Sequence, residues 1–200
     1  MKNVLIIGAT GTLGSAATQA FLTNSDDKLT LFARSANRIN IQDESRESVF
    51  VGDVMSDQDL DKALQGQDAV FAALSGNLGA YADKIVQAMD RNGVSRLVFI
   101  TSMGIYNEIP AAVGEDGNLK YNPVLKPYRQ AADIIEASDL EYTIIRPGWF
   151  TNGPVDYEVT KKGEPFGGHN ASVKSIADLV EKSVDDDLYL RESVGINTPN

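Results

Sequence analysis

The sequence has no cysteine, a single histidine and a single tryptophan. Without cysteine there is no disulfide framework, no thiolate metal site and no cysteine nucleophile, and the composition agrees with a reducing cytoplasm. His169, in "FGGHN", has no second ligand at metal-binding spacing, so no metal is predicted and the residue reads as part of a glycine-rich loop. No apolar run reaches the roughly eighteen residues of a membrane span. The opening "MKNVLIIGAT" leads from bulky strand formers directly into glycine, which predicts a first strand and not a signal peptide. Positive charge is also scarce. Lys and Arg total 18 against 28 Asp and Glu, a formal net charge of -10. A nucleic-acid partner would be repelled over most of such a surface. An anionic cofactor would need a local pocket of backbone N–H groups and one or two arginines.

What is present is a regular alternation of short apolar runs with amphipathic stretches. "NVLIIGA", "KLTLFAR", "SVFVGDV", "DAVFAAL", "RLVFITS" and "EYTIIRPGW" read as strands. "TLGSAATQAFLTN", "SDQDLDKALQG", "AYADKIVQAMDRNG", "KPYRQAADIIEASD" and "SVKSIADLVEKSVDD" read as helices, and "LYLRESVGINT" as a final strand. Ser56 is placed to cap the second helix. The strands are continuous apolar runs, as a parallel sheet covered on both faces requires. The prediction is one α/β domain over residues 1–200: a doubly wound parallel sheet in three α/β/α layers, with a small substrate or loop region over about 150–200. Long connections at 103–123 and 151–174 follow strand ends, where ligands bind in such sheets.

"IIGATGTLGSAATQAF" carries three glycines between the first strand and the first helix. Gly8 supplies a backbone conformation closed to other residues, Gly11 lets the chain approach a diphosphate, and Gly14 lets the helix pack close to the sheet. The helix N-terminus adds unpaired N–H donors and a positive dipole end. The predicted cradle is Gly8, Thr10, Gly11, Thr12 and Leu13. An NAD site usually has an acid at the end of the second strand. Here "LFARSANR" places Arg34 and Ser35 there, with Arg38 nearby, which suits a 2′-phosphate and favours NADP over NAD.

The spacing G-x-x-G-x-x-G, with "LFARS", "GDV", "ALSG", "TSMG" and "YTIIRPG" at successive strand ends, resembles the short-chain dehydrogenase/reductase superfamily. It is most similar to the atypical, NmrA-like or NAD(P)H-binding branch, over nearly the whole chain. The resemblance implies that Asp53 accepts from the adenine amino group beside the backbone of Val54; the alternative is that Asp53 helps cap the next helix. It implies that Leu74, Ser75 and Gly76 line the ribose and diphosphate. It also implies that Pro147 and Gly148 pass close to the nicotinamide, with Trp149 and Phe150 walling the pocket, unless Trp149 is core.

Family members that reduce carbonyls use a Ser or Thr after the fifth strand, then a Tyr with a Lys four residues later. Ser102 matches the first position, but the pair is missing: Tyr106, Tyr121 and Tyr128 are followed at that spacing by Pro110, Leu125 and Ala132. Tyr128 lies nearest the required place, with Lys126 and Arg129 close in sequence, and together with Ser102 forms the candidate catalytic set. Both also have purely structural readings, as a strand-end hydroxyl and a packing residue. The expected function is NADP-dependent hydride transfer to a small carbonyl or a planar, quinone- or flavin-like acceptor. The alternative is a non-catalytic NADP(H) sensor. A sugar-nucleotide epimerase or dehydratase is less favoured, because little chain follows the sixth strand. The expected partner is a small molecule, and a protein partner or homodimer stays open.

Overall fold

The structure, a computed structural model, describes residues 1–199. β1 (Asn3–Ile7) leads into α1 (Thr12–Asn24), followed by β2 (Lys28–Ala33) and β3 (Glu47–Val51). α2 (Asp57–Ala63), β4 (Ala69–Ala72), α3 (Leu78–Asn92) and β5 (Arg96–Ile100) come next. α4 (Lys126–Glu136) and β6 (Glu141–Pro147) precede β7 (Trp149–Thr151), β8 (Glu158–Lys161), β9 (Asn170–Ser172), α5 (Val173–Asp185) and β10 (Glu192–Asn197). The sheet order is β3-β2-β1-β4-β5-β6-β10-β8, and β7 pairs with β9 in a separate two-stranded sheet.

Hydrophobic burial explains the layering. β1, β4 and β5 are buried almost throughout, so helices must cover both faces of the sheet. On one face Leu5, Val70 and Leu97 pack with Ala82, Ile85 and Met89 of α3 and Ala131 and Ile135 of α4. On the other, Ile6, Phe71 and Val98 pack with Leu13, Ala17 and Phe21 of α1 and Ile176 and Val180 of α5. Each fully buried Leu, Ile or Phe contributes roughly 1.5–3 kcal/mol. Ser56 caps α2, its hydroxyl accepting from Asp59 N at 3.2 Å, while Gly93 ends α3 at φ +68°.

Beyond residue 150 the chain adds to the main sheet and to the layer that covers it. β10 joins β6 in parallel, α5 covers the sheet beside α1, and β8 adds an antiparallel edge strand. The final strand is shorter than the expected "LYLRESVGINT". Asp187, Tyr189 and Arg191 have φ values of 52°, 58° and 58°, which bend the chain before β10 begins. Among the described residues no helix is long and apolar enough to cross a membrane.

β1 is flanked by β2 and β4, so the strand order reverses between β1 and β4. A crevice opens at the carboxyl end of the sheet at such a reversal.

Candidate functional site: a two-lobed cleft at the strand ends

The β1–α1 turn can be built only with glycine at two positions. Gly8 has φ +89°, and a Cβ there would lie 2.1 Å from the Ala73 carbonyl oxygen at the end of β4. A Cβ on Gly14 would lie 2.1 Å from the Gly8 carbonyl oxygen. The turn is therefore pressed between β4 and the first turn of α1. Gly8 N and Ala9 N donate to Phe32 O at 3.2 and 3.4 Å, which fixes the turn to β2. Gly11 is the N-cap of α1, and no side chain caps the helix. The leading amides face the cleft with the positive end of the helix dipole behind them.

Two lobes meet at this turn, sharing Gly11, Ala73, Leu74 and Ser75. The first, about 500 Å³, contains Gly8, Thr10, Arg34, Ser35, Arg38, Asp53, Val54 and Tyr81. Phe32 and Phe50 stack beneath it with ring centroids 5.5 Å apart, and a Cβ on Gly52 would approach both rings at 2.9 Å. Among the described residues neither Arg34 nor Arg38 forms an ion pair, and both are exposed. Asp53 is engaged locally: Oδ1 accepts from Met55 N at 2.9 Å, and its own N donates to Asp59 Oδ2 at 3.0 Å. Its carboxylate therefore supports the turn before α2 while lining the lobe.

The second lobe, about 490 Å³, is lined by Thr12, Leu13, Ile100, Thr101, Ser102, Met103, Tyr128, Pro147, Gly148, Trp149 and Phe150. Among the described residues its only ionisable side chain is Tyr128, half-buried on the first turn of α4. Arg129 turns away to Asp133 at 2.7 Å, and Lys126 does not reach the lobe. The structure thus brings Ser102 and Tyr128 to one cavity without a lysine beside them. Ser102 Oγ donates to Met103 O at 3.1 Å, so part of its bonding capacity serves the strand end. Trp149 is not core; it is 67% exposed and forms the outer wall.

Of the residues predicted for the cofactor and catalytic sets, all line one lobe or the other except Gly76. Gly76 lies beside the cleft at φ +112°, its α-carbon facing the Tyr81 ring. Sequence reasoning missed Tyr81, because helix α3 gave no pattern distinguishing a ring turned to the cleft from one turned to the core. It also missed Thr101 and Met103, whose positions depend on β5 running past its last formal residue along β6. Thr101 N donates to Ile145 O at 2.8 Å, and Met103 N donates to Pro147 O at 3.1 Å. His169 is not merely a loop residue. Its ring stacks on Trp149, 5.9 Å between centroids and 7° from parallel.

A buried ion pair steadies this end of the sheet. Arg146, fully buried on β6, donates to Glu108 Oε1 at 2.5 Å and to Ser193 Oγ at 3.1 Å. Glu108 also accepts from Gly104 N at 3.0 Å and Tyr106 N at 2.8 Å. The loop after Met103 is thereby tied to β6 and β10. Tyr106 donates to Glu136 at 2.7 Å, and burial pushes its hydroxyl well above the usual tyrosine range.

A glycine-built cradle at a helix N-terminus, set at the reversal point of a mostly parallel sheet, defines a Rossmann-type dinucleotide-binding protein. The chain belongs to the NAD(P)H-binding family, whose model matches residues 8–187. It is similar to a Rossmann-fold NAD(P)-binding family protein from Shigella flexneri, with 38% identity, TM-score 0.86, and coverage of 100% of this chain and 95% of that one. It is also similar to a short-chain dehydrogenase/reductase from Veillonella parvula in complex with NADP, with 27% identity, TM-score 0.90 and the same coverage. A curated relative, described as an uncharacterized sugar epimerase of Bacillus subtilis (strain 168), is 29% identical over 167 residues, 76% of this chain and 73% of its own length.

Proposed function

We propose that this protein is an NADP-dependent oxidoreductase of the atypical short-chain type. It would transfer hydride to a small carbonyl or to a planar, quinone- or flavin-like acceptor. The observation that carries the reading is one continuous cleft with two unlike ends. One lobe holds two unpaired arginines, and the other is apolar, aromatic and nearly free of ionisable groups.

The residues present fit a dinucleotide. Glycine at positions 8 and 14 lets the turn press against β4 and the first turn of α1, and the uncapped amides of α1 suit a diphosphate. Arg34, with Ser35 and Arg38 beside it, offers a planar fork for a 2′-phosphate on a chain that is otherwise acidic. Leu74, Ser75 and Val54 would line the adenosine side, Pro147 and Gly148 the nicotinamide side. When bound, NADPH supplies the hydride. The chain's residues hold and orient the acceptor: Trp149, Phe150 and Met103 provide apolar walls that thin the water around it. Ser102 and Tyr128 bond its oxygen. With a conjugated acceptor the proton comes from solvent; with an isolated carbonyl the Tyr128 hydroxyl supplies it.

Incubation with NADPH and a panel of quinones, flavins and aldehydes tests this reading. Saturable NADPH consumption with at least one acceptor is expected. Tight cofactor binding without turnover of any acceptor would favour a second reading, a sensor that reports NADP state to a protein partner. The missing lysine beside Tyr128 supports that alternative. It requires a partner whose recruitment changes when NADP is added.

A further inference from the structure

The chain's only tryptophan and only histidine form a single stacked pair at the mouth of the substrate lobe. They are twenty positions apart, and the backbone, not the rings, brings them together. Trp149 N donates to His169 O at 2.8 Å, and β7 runs parallel to β9 with Trp149 opposite Asn170. Glycine makes this approach possible, because a Cβ on Gly148 would lie 2.5 Å from the His169 carbonyl oxygen. Thr198 N donates to Asn170 O at 2.6 Å, which ties the segment to the end of β10.

The two rings have different relations to the cleft. Trp149 lines the substrate lobe and His169 does not, so the imidazole backs the indole from outside. Asn170 Oδ1 lies 2.8 Å from His169 Nδ1, which restricts rotation of the imidazole. A Cβ on Gly114 would meet His169 Cδ2 at 4.0 Å, so the loop after β5 borders the imidazole edge. A tryptophan that is 67% exposed would otherwise exchange between rotamers and lose entropy on binding.

We propose that His169 is a positioning residue. It holds Trp149 flat, so that the free face of the indole is a stacking platform for an electron-poor planar ring. The inference rests on the substrate assignment of this lobe and sharpens it: planar conjugated acceptors, not small aliphatic carbonyls, are the substrate class. An electron-rich indole face attracts an electron-poor ring in offset stacking. The same platform offers little to an aliphatic aldehyde.

The test uses the NADP-loaded full chain and menadione as the probe, with the emission of the sole tryptophan as a direct reporter. Saturable quenching is expected in the wild type. His169→Ala should raise the menadione Kd, and the KM in NADPH turnover, by about 2- to 12-fold, the range of one aromatic stack. Its kcat and NADP affinity should stay near wild type. His169→Phe should restore both menadione values, which a general folding defect would not allow. Quenching with an unaltered menadione Kd in His169→Ala would overturn the proposal, as would an absence of quenching in the wild type. The reductase reading fails separately. If menadione quenches and His169→Ala weakens it but NADPH is never consumed, the platform stands without the reaction.

Discussion

The Arg146 guanidinium and the Glu108 carboxylate meet at 2.5 Å in the interior, both almost wholly removed from solvent. Arg146 comes from the strand that ends in Pro147 and Gly148, and Glu108 from the loop that begins at Met103. The pair therefore connects two walls of the substrate lobe. Removing one partner of a buried pair leaves an uncompensated charge, which typically costs about 3–5 kcal/mol. Glu108→Ala should lower the thermal midpoint markedly, and chemical denaturation should show a loss of that size. The paired replacement of Glu108 and Arg146 by Gln and Met should recover much of the stability. A Glu108→Ala protein as stable as wild type would show that the ion pair does not hold the loop.

Gly8→Ala should abolish cofactor binding. The added Cβ would sit 2.1 Å from the Ala73 carbonyl oxygen, and the backbone is at φ +89°. Either β4 must shift or the turn must rebuild, and both disturb the cradle. Calorimetric titration with NADP checks the outcome; an unchanged Kd would mean the turn tolerates a side chain.

Arg34→Ala should weaken NADP by about tenfold or more, as expected when one charge-assisted pair is lost. NAD affinity should hardly change, since NAD has no 2′-phosphate. Equal losses for the two cofactors in parallel titrations would assign Arg34 a general role. No loss for NADP would remove it from the site.

Tyr128→Phe separates two acceptor types. With an aromatic aldehyde, which is planar but whose reduced oxygen needs a proton donor, loss of the Tyr128 hydroxyl should reduce kcat by roughly 100-fold or more, the usual contribution of a general acid. With a quinone the reduction should be small, because solvent completes the reaction. Steady-state kinetics on both acceptors gives the comparison.

A pH dependence of stability arises away from the cleft. Burial first, then a hydrogen bond and the charge of Asp27, push the Asp185 carboxyl up to about 7. Glu181 on the same helix is raised too, chiefly by burial. A carboxyl raised in the folded state binds its proton more tightly there than in the unfolded chain. Stability from this group is full at low pH, declines between about pH 4 and 7, and is flat above. Asp185→Asn should flatten that slope and stabilise the protein at pH 8 relative to wild type. Thermal melts across the range would show whether the slope persists.

The sequence made the order of strands and helices legible because β1, β4 and β5 are unbroken apolar runs and α3 repeats its apolar residues at helical spacing. β8 escaped notice because "EVTK" is a half-exposed edge with charge at both ends. The β7–β9 pair escaped because each strand has three residues and the partners lie twenty-one positions apart. The same reason separates the two halves of the site. The cofactor lobe is built by short strand-end motifs, each readable in place: "IGATGTLG", "ARS", "GDV". The substrate lobe depends on pairings across the chain, such as Trp149 with His169 and Arg146 with Glu108, which no local pattern announces.

Hydride transfer itself is most directly examined with NADPH deuterated at nicotinamide C4, on either face in turn, together with menadione as the acceptor. The account predicts a primary isotope effect on consumption for one labelled face and none for the other, with Trp149→Ala reducing the rate for both. If neither label slows the reaction while cofactor still binds tightly, or if NADPH is not consumed at all, this cleft is not a hydride-transfer site.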